Sequence, residues 1–279
     1  MNRTGIVKAL IGLLLTLALP RCASSQTMEY PLAVAAAADG SLYVADRNLP
    51  GIWKVQDGVP SVYFQAHKTF RTPLNAVRCL AVDASGTLYA GDSSTREVYR
   101  FDASGKPQPL TTGGIGIPMA IAFNSKGNLL VADLEQHKIF EVPSAGGKAT
   151  EFAKVQAPRG LAIDGKDRVW VLSNSKQPLV RIDENRKTEV LVEEAMFEFT
   201  HQLVLDSEET AYFCDGYAKT LWKLKAGGKP EKMFVGEPLK NPVGLWLAGD
   251  QLLVADPHQK TIYALPKSGA TTLVDMVKK

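Results

Sequence analysis

The sequence predicts an all-β protein folded as a six-bladed β-propeller, in which every blade is a four-stranded antiparallel sheet. Two observations lead to this prediction. A segment of about 41 residues recurs six times along the chain. Each copy also contains four short runs of β-branched and aromatic residues, separated by Gly and Asp turns. With 45% hydrophobic and 22% charged residues, the chain can bury a substantial core.

One strand motif, an apolar run that ends in Asp, marks the six copies. Ser replaces Asp in the fourth copy, and the final positions are Asp46, Asp92, Asp133, Ser173, Asp215 and Asp256. Six residues further on, every copy has an aliphatic residue, which is followed in five of the six by an aromatic one. We call such a set of equivalent positions a column. Because the columns keep their spacing, the copies are structural repeats.

A lone four-stranded meander cannot bury both of its faces. Six meanders arranged radially bury face against face and protect their edges, which is the propeller arrangement. A linear solenoid is the alternative, but solenoids need polar capping repeats at their ends. The terminal copies here have no such character. The last copy also carries its own fourth apolar stretch, Thr272-Leu273-Val274, so ring closure needs little exchange between the termini.

The repeats resemble the NHL repeat, which starts with Pro-x-Gly and an aliphatic residue and later has an aliphatic-Tyr-Val-Ala-Asp strand. Residues 158–164 and Leu129 to Asp133 match this pattern well, and the resemblance covers residues 30–279. It implies a propeller of the wider SMP-30/gluconolactonase-like superfamily. That superfamily includes binding proteins, lactonases and secreted lyases.

Residues 1–25 have the pattern of a secretory signal peptide, and residues 26–279 are predicted to form the propeller. Arg3 and Lys8 precede an apolar run over 9–19, and small residues stand before Gln26. We therefore expect an exported protein, either periplasmic or secreted. A lipid anchor at Cys22 is not expected, because Arg21 stands where such a cleavage site needs a small residue.

The charge of the chain gives no reason to expect a nucleic-acid partner. Removing residues 1–25 leaves 29 basic residues against the 29 acidic ones, so the mature chain is formally neutral. No later segment is apolar enough to cross a membrane. We expect a monomer.

The Asp column invites a metal-binding interpretation, but it fits a structural role better. An Asp that ends a strand can accept hydrogen bonds from turn amides, and Ser can do the same more weakly. Metal sites gather dissimilar ligands, whereas this column repeats with the fold.

The informative column is the one that does not repeat. It stands at the start of the first strand of each copy, where that strand opens the central channel, and we call it the mouth ring. The mouth ring comprises Leu32, Arg78, Met119, Arg159, His201 and Val243. Two arginines and a histidine around a narrow opening predict a site for a carboxylate, a phosphate or another anionic group. The alternative is that Glu29, Glu194 or Glu198 pairs with these cations.

A metal-dependent active site is suggested only in part. The resemblance to gluconolactonase-like propellers implies a divalent cation that is held by the Glu of a Glu-x-Pro element and by Asn and Asp at mouth positions of later blades. Glu29-Tyr30-Pro31 fits this element, but Arg159 and His201 occupy the later positions. Cations cannot replace oxygen ligands around a hard metal. A divalent metal therefore stays an open alternative with an incomplete ligand pattern, and no other cofactor is predicted. Glu29 and His201 remain the candidate catalytic residues.

Two further histidines, His137 and His258, fall in the loops after the Asp column and are predicted to open on the mouth face. They are candidate ligand-binding residues, although a loop histidine is usually only solvated. The remaining cysteines, Cys79 and Cys214, stand in columns of small residues and are predicted to be free, buried thiols.

The sequence therefore leaves two functions open. The first is a binding module whose channel mouth takes a small anionic ligand or a partner protein. The second is an enzyme of the lactonase or lyase type that uses the same mouth. The first is favoured because no catalytic constellation is complete.

Overall fold

The computed structural model describes residues 27–67, 69, 71–194, 196–269 and 272–277. The proposed signal peptide and its cleavage site lie outside the described residues. Within them, all regular structure is β-strand, in six antiparallel sheets of four strands each. The predicted fold class is confirmed.

Each blade is one continuous stretch of chain, and its four strands follow each other in sequence order. The first three blades comprise β1 Pro31–Ala36, β2 Leu42–Asp46, β3 Gly51–Gln56, β4 Val59–Gln65; β5 Val77–Val82, β6 Leu88–Asp92, β7 Glu97–Phe101, β8 Pro107–Pro109; and β9 Pro118–Phe123, β10 Leu129–Asp133, β11 Lys138–Val142, β12 Thr150–Lys154. The last three comprise β13 Pro158–Ile163, β14 Val169–Ser173, β15 Leu179–Ile182, β16 Thr188–Val192; β17 Thr200–Leu205, β18 Ala211–Asp215, β19 Thr220–Leu224, β20 Glu231–Val235; and β21 Gly244–Ala248, β22 Gln251–Asp256, β23 Thr261–Pro266, β24 Val274–Asp275.

The ring closes by packing between the first and last blades. First strands contact each other around the axis, and β1 of the first blade contacts β21 of the sixth. The sixth sheet is built from C-terminal strands alone, as the repeat predicted. Because the described residues exchange no strand between the first and last blades, side-chain contacts must hold the ring shut.

Six clusters of buried apolar residues lie at the six interfaces between neighbouring blades. The cluster that closes the ring joins Val34 and Trp53 of the first blade to Leu253 and Ile262 of the sixth. Trp246, on β21, also packs against the clusters between the first and second and the second and third blades. One side chain of the sixth blade therefore contacts three successive interfaces.

The Asp column has the structural role that the sequence predicted. Asp46 accepts hydrogen bonds from the amides of Glu29 and Tyr30, which lead into β1, and from the amide of Asn48 in the following turn. Asp215 likewise accepts from the amides of Glu198 and Phe199, at 2.8 Å each. These carboxylates therefore fix the loops around the channel mouth.

Cys79 and Cys214, the two cysteines in the described ranges, are free and fully buried, which confirms the prediction. Burial raises the pKa of each thiol to about 12. The Cys79 thiol donates to the Pro118 carbonyl of the next blade at 3.4 Å. Both residues act as small core side chains.

Candidate functional site

The candidate site is the mouth of the central channel, at the start of the first strands. A cavity of about 120 Å³ opens there, and it is lined by Leu32, Arg78, Met119, Arg159, His201, Gln202 and Val243. All six residues of the mouth ring thus border one cavity. Gln202 is an addition that the sequence did not reveal.

Local irregularities in the sheet explain why five of these six side chains, all except that of Val243, reach the channel. In the first four blades, the pairing of the first strand with the second shifts by one residue at Leu32, Arg78, Met119 and Arg159. Such a β-bulge leaves one residue unpaired and changes the direction of its side chain. In the fifth blade the shift lies between Thr200 and Leu203, so it includes both His201 and Gln202.

The close approach of the first strands also constrains the neighbouring column. A Cβ added to Gly160 would lie 2.7 Å from the Leu203 amide nitrogen and 2.8 Å from the His201 carbonyl oxygen. Only glycine fits at this point of the ring, next to Arg159. The backbones of the fourth and fifth blades are therefore held close together beside the side chains of Arg159 and His201.

The arginines of the mouth ring have no acidic partner among the described residues. Arg78 donates through Nε to the Ser93 hydroxyl at 2.9 Å. Arg159 forms neither an ion pair nor a hydrogen bond there; its guanidinium lies over the Phe199 ring, 4.9 Å from the centroid, and its Nε is buried without a partner. The alternative pairing with Glu29, Glu194 or Glu198 is thus wrong for the described part of the chain.

The electrostatics of the mouth is that of a cationic site. Loss of solvent lowers the pKa of Arg159, and the charge of Arg78 lowers it further. Loss of solvent and the charge of Arg47 also lower the pKa of Arg78, and the charge of Asp92 opposes them in part. Arg159 is therefore repelled by Arg78, and Arg78 by Arg47, and an anion placed beside Arg78 and Arg159 would relieve that repulsion.

The prediction that His201 is one of the cations of the mouth ring is wrong. Burial, with a smaller contribution from the charge of Arg159, lowers its pKa to about 4. The imidazole is therefore neutral at pH 7. Its ring packs edge-on against Phe199, with centroids 5.0 Å apart, and its nitrogens have no hydrogen-bond partner among the described residues.

An aromatic stack forms one side of the mouth. Phe199 lies between its neighbours: the Arg159 guanidinium is over its ring, and Tyr217 stacks on it at 4.8 Å with an interplanar angle of 20°. Tyr217 is 65% exposed. On another side, Arg47 lies over the Tyr30 ring at 5.6 Å.

Three of the candidate residues lie outside the cavity lining. Glu29 forms an ion pair with Lys260 of the sixth blade, and this contact lowers the pKa of the carboxyl group. The ring of His258 contacts Tyr30, and its backbone amide donates to Asp256. His137 accepts a hydrogen bond from the Ala157 amide. Glu29 and His201 are therefore not brought together in the mouth cavity.

Some of the residues near the mouth that were not predicted have a recognisable sequence pattern, and others do not. Gln202 occupies the column in which Ala33, Cys79, Ala120 and Gly160 stand, so a polar residue in a small-residue column was a usable sign. Arg47 directly follows the Asp column. Phe199 and Tyr217 come from loops whose meeting depends on the ring, and no local pattern indicates it.

Below Gln202, the channel continues into a second cavity of about 260 Å³, whose lining includes Leu80, Ile121, Leu161, Leu205 and Trp246.

Within the described ranges, no cluster of three or more His, Cys, Asp or Glu side chains could hold a metal ion. The same residues contain no helix that is long and apolar enough to span a membrane.

Comparison with known proteins places this architecture among NHL propellers. Residues 16–210 match the family described as the Teneurin NHL domain. Mouse Teneurin-3 is 30% identical over 174 residues, which are 60% of this chain and 6% of Teneurin-3. The human E3 ubiquitin-protein ligase TRIM32 is 35% identical over 79 residues, 28% of this chain and 12% of that protein. The chain thus matches only a small part of these relatives.

Solved structures show the same fold at low sequence identity. Virginiamycin B lyase from Staphylococcus aureus aligns with a TM-score of 0.69 and 14% identity, covering 91% of this chain and 86% of the lyase. A gluconolactonase from Xanthomonas campestris gives a TM-score of 0.73 and 14% identity, covering 86% of each chain. A chain of a nidogen–laminin complex gives 0.67 and 15%, covering 87% of this chain and 92% of the other.

Proposed function

This chain belongs to the family of the Teneurin NHL domain, and from that premise we propose that it is an exported binding module whose channel mouth captures an anionic group. The group belongs to a small molecule or to a partner protein. The observation that carries the proposal is that Arg78 and Arg159 border one cavity with no acidic partner among the described residues.

The energetics of the mouth support binding of an anion. A guanidinium that is partly removed from water loses hydration, and this cost is recovered when charge-assisted hydrogen bonds to a carboxylate or phosphate form. Arg159 now has only an aromatic face against it. A bound anion would supply acceptors to Arg159 and to the terminal nitrogens of Arg78 together.

Export is part of the proposal and is based on residues 1–25 alone. A binding role is also in keeping with the structural neighbour that comes from a protein–protein complex, that of nidogen and laminin. At 15% identity, however, that similarity concerns the fold only.

The second candidate function is a lactonase-like hydrolase or a lyase, for which the gluconolactonase and virginiamycin B lyase neighbours are the motivation. The geometry favours it less. Glu29, the residue that a metal-dependent version would need, pairs with Lys260 and does not line the mouth cavity. Metal analysis distinguishes the two: a stoichiometric divalent cation that is lost in Glu29→Gln would favour the enzyme.

The direct test measures binding of inorganic phosphate and acetate by calorimetry and thermal shift, at constant ionic strength. We expect Arg159→Gln to weaken binding at least tenfold. The matched control is Arg100→Gln, which removes an equal charge from exposed Arg100 on β7, outside the mouth. Equal affinities of the wild type and both variants would overturn the proposal. So would the absence of binding of phosphate, acetate and a peptide with a free C-terminal carboxylate to the wild type.

A further inference from the structure

The polar groups at the mouth require more than an anion. Arg159 and the terminal nitrogens of Arg78 are donors without partners in the described chain. Gln202 Oε1 is a buried acceptor without a partner, and it belongs to a side chain that lines the same cavity. Since buried polar groups are normally hydrogen-bonded, the complementary ligand carries an acidic group and, a short distance away, an N–H or O–H donor.

The size of the cavity limits how much of a ligand enters. Its volume of about 120 Å³ is well below the roughly 300–1,000 Å³ of pockets that enclose whole ligands. Gln202 borders both this cavity and the lower one, so its side chain stands at the boundary between them. The mouth is therefore suited to the end of a molecule, with the rest lying outside.

The surface around the cavity is suited to the outer part of such a molecule. Tyr217 is 65% exposed and stacked on Phe199, while Tyr30 and Arg47 pair at another side. Aromatic residues and arginine are the side chains that protein interfaces favour and that most often dominate their binding energy. A peptide chain that leaves the cavity can pack on these rings.

The unpaired polar groups, the small cavity and the aromatic surface around it together fit the negatively charged end of a peptide. We propose that the mouth ring binds the C-terminal carboxylate of a partner polypeptide, with the carboxylate between Arg78 and Arg159. The last peptide N–H donates to Gln202 Oε1, and the preceding residues lie against Tyr217. An N-terminal amine is excluded because its charge has the wrong sign. This inference rests on the proposed function and narrows it to one class of ligand.

The experiment compares N-acetyl-Gly-Gly-Ala as the free acid with the same tripeptide as the C-terminal amide, by calorimetry on the mature chain. Acetate and inorganic phosphate are measured alongside them. We expect the free acid to bind at least tenfold more tightly than the amide and more tightly than acetate. Arg159→Gln should abolish this preference, and Gln202→Ala should reduce affinity for the tripeptide acid but not for acetate.

Each outcome decides the matter. If the acid and the amide bind equally while acetate or phosphate also binds, or if acetate binds as tightly as the tripeptide acid, the peptide inference fails while an anion site remains. If the acid and the amide bind equally and neither acetate nor phosphate binds, the proposed function fails as well. If none of the four compounds binds, the proposed function fails with it. Arg100→Gln again serves as the matched charge control, and thermal unfolding of every variant establishes that it is folded.

Discussion

The backbone amide of Ala157 donates a hydrogen bond to Nδ1 of His137 at 3.1 Å. In four other blades an Asp at the end of the second strand accepts the amide of the residue just before the first strand, as Asp133 does from Ile117. The fourth blade has Ser173 at this position, and its hydroxyl pairs with Ser175 and Gln177 instead. The imidazole of the third blade therefore takes over the role of the missing carboxylate.

This relationship predicts a double-mutant cycle. His137→Lys is the conservative change, because Lys219 and Lys260 hold the equivalent turn positions with the same positive φ. It removes the acceptor of the Ala157 amide and should cost about 1 kcal/mol of unfolding free energy. Adding Ser173→Asp to this variant should restore most of the loss, since an Asp there has the register of its sister positions.

Urea denaturation of the four proteins measures this coupling. Additive effects of the two substitutions would contradict the relationship. A lower affinity for anions in His137→Lys, without any change in stability, would instead support the sequence-based assignment of His137 as a ligand-binding residue.

The fold and the mouth ring could be predicted because the constant spacing of the repeat identifies equivalent positions in the six copies. A column whose residue type is kept, such as that of Asp215, indicates a structural role, and a column whose residue type varies, such as that of Arg159, indicates a position that the fold does not constrain. The consequences of ring assembly could not be predicted in this way. The pairing of Glu29 with Lys260 joins residues 231 positions apart, and only closure of the ring brings them together.

The charge of the site was harder to predict than its residues. His201 has an ordinary sequence environment, and its neutrality comes from burial beside Phe199 and Arg159. The β-bulges are also invisible in the sequence, since the one in the fifth blade includes two residues where those of the first four include one. That difference is what brings Gln202 to the cavity.

His201 should make the stability of the protein depend on pH. Its pKa is about 4 in the folded chain, against 6.5 for an ordinary histidine. Between these values the unfolded chain binds a proton that the folded chain does not, so the stability contribution of a neutral His201 is lost as pH falls from about 6.5 to about 4. A shift of this size corresponds to about 3 kcal/mol.

The measurement is the free energy of unfolding of the wild type and His201→Gln between pH 7.5 and pH 4.5. The wild type should lose stability more steeply across this range, because the glutamine cannot be protonated. Parallel curves for the two proteins would show that His201 is not the neutral, buried group described above.

The two buried cysteines should differ in reactivity between the folded and unfolded states. With pKa values of about 12 and no exposed surface, neither thiol forms a reactive thiolate near pH 8. We expect Cys79 and Cys214 to resist a thiol reagent in the folded protein comprising residues 26–279 and both to react within minutes in strong denaturant. Absence of free thiols after denaturation would mean that the two are linked.

Trp246 should be the most costly single side chain to remove near the channel. It belongs to the sixth blade yet packs against three successive blade interfaces. The first of these closes the ring between two blades that exchange no strand in the part of the chain that the structure describes. Trp246→Ala removes these contacts at once and should cost about 3 kcal/mol of unfolding free energy, near the lower end of the range for large aromatic residues because Trp246 is only half-buried.

Trp246→Phe should cost about 1 kcal/mol, since much of the ring contact is kept. Val235→Ala, at a site that is 55% exposed, is the control and should change stability by less than about 0.5 kcal/mol. Urea denaturation measures all three, and a loss no greater in Trp246→Ala than in the control would mean that the six-blade ring is held shut without this side chain.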